Sequence, residues 1–161
     1  MDVEMKIRGL VMDPASNMPI VILKDVKSDT VLPIWVGMYE ANAIALEIEK
    51  SATPRPMTHD LLKNLVRGLN ASVQKVVVTE LKNDTFYAVI WLDREGELIS
   101  VDSRPSDALA LALRLDCPIY VEESVLKSSK VASSISDKVN DAELRRWLEG
   151  LNDEDLGRYK M

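Results

Sequence analysis

The sequence predicts an α+β fold, and three observations predict it. Strand-like runs come in two groups of three, each group leads into a helix rich in Ala and Leu or Ile, and a further helical segment separates the groups. In the first group, residues 3–12 (VEMKIRGLVM) and 19–26 (PIVILKDV) are joined by a turn built from Asp13, Pro14, Ser16 and Asn17. The polar turn KSD leads to a third strand, TVLPIWV. From Met38 the period changes: Ala41, Ile44, Ala45 and Ile48 recur at helical spacing, with Glu40, Glu47 and Glu49 placed for solvent. SATPRP breaks this helix. THDLLKNLVRGL then starts another, with Thr58 as N-cap and an apolar stripe of Leu61, Leu62, Leu65 and Leu69.

The second group is read at 72–81, 84–92 and 97–102, with ND and DREG as its turns. In the stretch that follows, DSRPSDALALAL, the run ALALAL alternates in size rather than polarity, so it is not a half-buried strand. Pro105 suits a first helical turn and Ala and Leu are strong helix formers, so a buried helix is expected. CPIYV reads as a short strand, EESVL as a helical turn, KSSKVASSIS as a polar connector, and NDAELRRWLEGL as an amphipathic C-terminal helix. The expected division is one domain over 1–128 and a tail over 129–161.

The two groups suggest an internal βββα duplication. A shift of 67 residues superposes GLVMD on VVVTE and MYEANAIAL on PSDALALAL, though over residues 3–48 only five positions are identical, four of them in Ala- and Leu-rich helix. The same shift lays Glu40 over Asp107 and Asp13 over Glu80. A pseudo-twofold arrangement would bring Glu40 and Asp107 together, and paired carboxylates can hold a divalent cation for phosphodiester cleavage. The alternative is that each acid complements the positive end of its own helix.

Composition narrows the function classes. With 161 residues, 47% hydrophobic and 29% charged, the chain has the make-up of an ordinary globular protein with a substantial core. A net charge of -6 argues against attraction of the whole molecule to nucleic acid or anionic membrane, so any polyanion site must be local. One cysteine and one histidine exclude an intrachain disulfide and the familiar Cys and His zinc cages. With no signal-like start and no run of about 18 apolar residues, a cytoplasmic protein without membrane partners is expected. The glycines are dispersed and form no nucleotide loop, so no organic cofactor is expected.

Among candidate residues, His59 stands in the first turn of its helix, where the positive end of the dipole suits a neutral base. With Arg55, Lys63, Arg67 and Lys75 it forms the best basic patch of the chain, either a seat for a phosphate backbone or a solvated helix face. Arg104, before Pro105, is biased towards an extended backbone, and its guanidinium can clamp a phosphate or an internal carboxylate such as Asp102. Ser103 and Ser106 hold cap-like positions, and no Ser, His, Asp constellation emerges. Cys117, between Leu115 and Ile119, reads as a small buried apolar residue.

The segments PIWVGMYEANAIALEIEKSATPRPMTHDLL and ISVDSRPSDALALALRLDCPIYVEESVL resemble the bifunctional nuclease family of bacteria and plants. The resemblance rests on Gly37, Glu40 and Ala41; on Arg55, Pro56, Thr58, His59 and Asp60; and on the run from Asp102 to Ala108. It implies a strongly curved mixed sheet with flanking helices, a homo-oligomer, and cleavage of both RNA and DNA, as some members show. The family brings no settled catalytic set, so its matched polar positions are candidates. Two functions are therefore expected. In the first, a metal-assisted nuclease, Glu40, Asp102 and Asp107 would hold magnesium or manganese and His59 would act as base or acid; Arg55, Lys63, Arg67, Ser103 and Arg104 would bind substrate. In the second, a noncatalytic oligomeric binding or regulatory module, the same groups cap helices and tie the halves together.

Overall fold

The computed structural model describes residues 1–129. Its elements are β1 (Asp2–Met12), β2 (Pro19–Asp25), β3 (Val31–Trp35), α1 (Met38–Ile48), α2 (Thr58–Gly68), β4 (Ala71–Lys82), β5 (Thr85–Arg94), β6 (Glu97–Ser103), α3 (Pro105–Leu115), β7 (Ile119–Glu122) and α4 (Glu123–Ser128). These are the elements expected from the sequence, in the same order. The expected helix NDAELRRWLEGL, with its Trp147, lies outside the described residues. No helix among the described residues is long and apolar enough to cross a membrane.

The strands form one open seven-stranded sheet in the order β3-β2-β1-β7-β4-β5-β6. It is mixed because β7 pairs antiparallel with β1 and parallel with β4, every other ladder being antiparallel. Pro33, which cannot donate to a ladder, lies in the edge strand β3, where an unpaired side is available. Asn83 and Asp84 both take positive φ (51° and 60°), as a two-residue hairpin between β4 and β5 requires. Register shifts at Ile7/Gly9, Val73/Lys75 and Val78/Glu80 mark bulges, which bend and twist the long strands.

The duplication is not confirmed. Each half does run three antiparallel strands into a helix, but β7 stands between β1 and β4 and pairs with them in opposite senses, so the halves are not equivalent.

The core lies between one sheet face and the helices. Leu10, Val21, Leu23, Val76, Val78, Ala88 and Val121 from the strands meet Ile44 of α1 and Leu109 of α3, all of them buried. The ALALAL run is buried on nearly every side because α3 packs against α1, α2, β4 and β5. Small alanines let these neighbours approach, and the intervening leucines fill the gaps.

The leucine stripe of α2 faces solvent. Leu61, Leu65 and Leu69 are more than half exposed and Leu62 is 37% exposed, whereas the one buried residue of α2 is His59. Thr58 is also not the N-cap; Met57 is, and Thr58 is the first helical residue. The orientation of α2 is set by its polar side, through ties to α3.

Candidate functional site

The helices α1, α2 and α3 share one local feature: each has an acid as its third residue, Glu40, Asp60 and Asp107 respectively. An acid there complements the positive helix end and can satisfy exposed amides. Asp60 does so directly, its Oδ2 accepting the Met57 N–H at 2.9 Å. Each of the three acids also pairs with a side chain from another part of the helical layer.

Arg104 is the N-cap of α3, and the extended conformation imposed by Pro105 (φ -68°, ψ 146°) carries its side chain over the start of the helix. Its Nε donates to Asp107 Oδ2 at 2.8 Å and its Nη1 to Glu40 Oε1 at 2.9 Å. The other oxygen of Asp107, Oδ1, lies 2.9 Å from His59 Nε2. A continuous polar chain therefore runs Glu40, Arg104, Asp107, His59, from α1 across α3 to α2. From Arg104 inward exposure falls, from 64% for the Arg104 side chain to 28% for Asp107 and 10% for His59.

Electrostatics assigns the proton between His59 and Asp107. Burial pushes the Asp107 carboxyl up, but hydrogen bonds and charge from Arg104, and then from His59, outweigh it and hold Asp107 below its ordinary value. An ionised carboxylate only accepts, so the 2.9 Å contact requires His59 Nε2 to be the donor. In a neutral ring Nδ1 is then the free base. Arg104 is in turn held above its ordinary value, first by Asp107 and then by Glu40.

Gly37, the N-cap of α1, is required by this arrangement for steric reasons. A Cβ at Gly37 would collide with the carboxylate of Glu40, which folds back over the glycine. With an ordinary φ of -74°, the position needs glycine only for space.

Sequence reasoning missed the second tie. Arg114 has only 3% of its side chain exposed, and its Nε donates to Asp60 Oδ1 at 2.8 Å. Its Nη1 and Nη2 donate to the carbonyls of Ala110 and Ala43 at 2.9 and 3.0 Å. One guanidinium thus pins α2 and α1 to α3. The available signal was a charged residue closing the apolar run ALALAL, since a cation there must find partners.

The remaining candidates lie apart. Asp102 pairs with Val89 in the row that continues through Val77 and Tyr120, whereas Ser103 pairs with Ala88 in the row that meets the core. Neighbouring residues of a strand point to opposite faces, so Asp102 faces away from α3. It is not the partner of Arg104, which pairs with Asp107 and Glu40 instead. Ser103 Oγ donates to the Arg104 carbonyl at 2.8 Å, a local turn contact. Arg55, in the segment before α2, and Arg67 of α2 are exposed, and Lys63 is half-buried near Asp60. None of the three joins the chain from Glu40 to His59.

The three-acid metal set does not fit this arrangement. Arg104 stands between Glu40 and Asp107 and donates to both, Asp102 is on the other face, and no group of three or more His, Cys, Asp or Glu able to hold a metal occurs among the described residues. Cys117 is half-buried, and burial pushes its thiol up to about 11, which suits packing and not nucleophilic attack.

Comparison with known proteins adds family evidence. The profile of the bifunctional nuclease domain matches residues 21–134. An uncharacterized protein of Mycobacterium tuberculosis is 44% identical over 123 residues, covering 76% of this chain and 73% of the relative. Bifunctional nuclease 1 of Oryza sativa subsp. indica is 30% identical over 116 residues, covering 70% of this chain and 35% of the plant protein. Bifunctional nuclease 1 of Arabidopsis thaliana is 27% identical over 135 residues, covering 82% of this chain and 42% of the relative.

Proposed function

The chain belongs to the bifunctional nuclease domain family, and from that premise we propose that it cleaves phosphodiester bonds in RNA and DNA at the chain of groups from Glu40 to His59. The observation that carries this reading is the His59–Asp107 pair tied to an exposed arginine. Asp107 fixes the imidazole with Nε2 protonated, leaving Nδ1 to take a proton from the attacking hydroxyl or water, and stabilises the imidazolium that results. A guanidinium carries five N–H donors, and Arg104 spends two on Asp107 and Glu40, so three remain for phosphate oxygens. Glu40 positions that guanidinium. Asp102, Ser103, Arg55, Lys63 and Arg67 carry no chemical step. The half-buried free thiol of Cys117 suits a reducing cytoplasm.

Every step assigned above rests on protein groups, and none passes through a metal ion. The test is cleavage of single-stranded RNA and DNA oligonucleotides by the purified full-length chain, with magnesium, with manganese and with chelator. Cleavage that survives in chelator is expected. Absence of cleavage under all three conditions would remove the nuclease reading, and cleavage only with metal would replace the protein-only mechanism.

One observation favours a noncatalytic oligomeric module of the same fold. The α2 stripe of Met57, Leu61, Leu65 and Leu69 repeats every four residues and faces solvent, a spacing that interleaves with the same stripe on a second copy. That reading expects a sedimentation mass above that of the monomer together with no cleavage; a nuclease that is also an oligomer combines the larger mass with cleavage.

A further inference from the structure

A cavity of about 300 Å³ opens beside the outer end of the polar chain, between the end of β3, the start of α1, the β4–β5 turn and the start of α3. Its walls include Val36, Phe86 and Pro105, and its polar residues are Glu40, Asp84, Thr85, Arg104 and Ser106. Trp35 completes it. That residue is 41% exposed, yet its Nε1 donates to Asp13 Oδ2 at 3.0 Å, which fixes the indole. The same bond is the first cause holding Asp13 below its ordinary value. Asp84 stands on the tight turn at φ 60° and makes no hydrogen bond or ion pair among the described residues.

An apolar wall, an oriented indole, an unengaged carboxylate and an arginine with spare donors match a nucleotide and not a bare phosphate. We propose that this cavity is a base-binding subsite for single-stranded nucleic acid. It takes a base with an exocyclic amine, adenine, cytosine or guanine, stacked on Trp35, with its amine donating to Asp84 and its phosphate on Arg104. Carboxylates only accept, so the carbonyl-flanked edge of uracil or thymine is the poorer fit. The size suits one base, since pockets for small ligands start at about 300 Å³. The proposal rests on the nuclease reading for its substrate class and extends it to which nucleotide is held.

The test is fluorescence anisotropy of end-labelled trinucleotides of adenine, cytosine or uracil with the full-length chain, with cleavage followed in parallel. The variants are Trp35→Leu and Asp84→Asn; asparagine tolerates positive φ, so the second leaves the turn intact. Wild type is expected to prefer adenine and cytosine over uracil. Trp35→Leu is expected to weaken every complex about tenfold, a typical loss for one base–aromatic stack, and Asp84→Asn to erase the preference. Those signatures without cleavage would retain the subsite and remove the nuclease reading. Cleavage and binding indifferent to Asp84→Asn and to base identity would remove the subsite and leave the nuclease reading standing.

Discussion

Asp60→Ala is expected to be among the most destabilising single substitutions outside the apolar core, costing about 3 kcal/mol and lowering Tm by roughly 10 °C. The reason is the partner left behind. Arg114 keeps only 3% of its side chain in solvent, so losing Asp60 strands a buried guanidinium with two carbonyls and no counter-charge. The double variant Asp60→Ala, Arg114→Met is therefore expected to be more stable than Asp60→Ala alone, since the unpaired charge goes with the arginine. Thermal melts of the wild type and three variants check this. A loss below about 1 kcal/mol for Asp60→Ala, the range of a surface pair, would mean that Arg114 does not organise the helical layer. Acid acts on the same tie. The Met57 amide first, and then Arg114, hold the Asp60 carboxyl below its ordinary value against the cost of burial. Its contribution is thus complete above the unfolded value of about 3.9 and is lost as pH falls through the lower folded value.

Asp107→Asn is expected to reduce cleavage by about 10²- to 10⁴-fold, the contribution of a positioned general base, with a much smaller effect on Tm. Asparagine keeps the size of the side chain but offers an amide, which can donate to His59 Nε2 and favour the tautomer with a proton on Nδ1. The base is then lost while α3 stays in place. Asp107 also accepts from Arg104 at 2.8 Å, and the carboxamide oxygen preserves that bond in weaker form. Initial rates on RNA and DNA, taken beside thermal melts, separate the two effects. Unchanged cleavage with a lowered Tm would make Asp107 a structural tie only.

The order of elements was legible because it depends on local signals. The turn residues of the ND hairpin, the proline that starts α3 and the change from strand-like to helical period at Met38 each act within a few residues. The face that α2 buries was not legible. A stripe of Leu61, Leu65 and Leu69 signals a surface that gains from burial, but α2 is turned by ties from His59 and Asp60 to residues 48 and 54 positions away. Pairings at that separation have no local signature. The meeting of Glu40 and Asp107 was suggested by the 67-residue shift, yet for the group that joins them, Arg104, the sequence left open a phosphate or an internal carboxylate such as Asp102. Strand alternation decides against Asp102, and it becomes usable only once the ladder with Val89 fixes the register. Arg114 escaped notice because an apolar run was read by its alanines and leucines and not by the one charge at its end.

The single histidine of the sequence allows one direct measurement of the central claim, that Asp107 holds His59 ready to act on nucleic acid. A long-range proton–nitrogen NMR spectrum of the imidazole contains one spin system and reports which nitrogen carries the proton. Protonation at Nε2 is expected, with a free Nδ1 whose signal moves when a single-stranded oligonucleotide is added. A ring protonated on Nδ1, or a spectrum unchanged at saturating oligonucleotide, would contradict it.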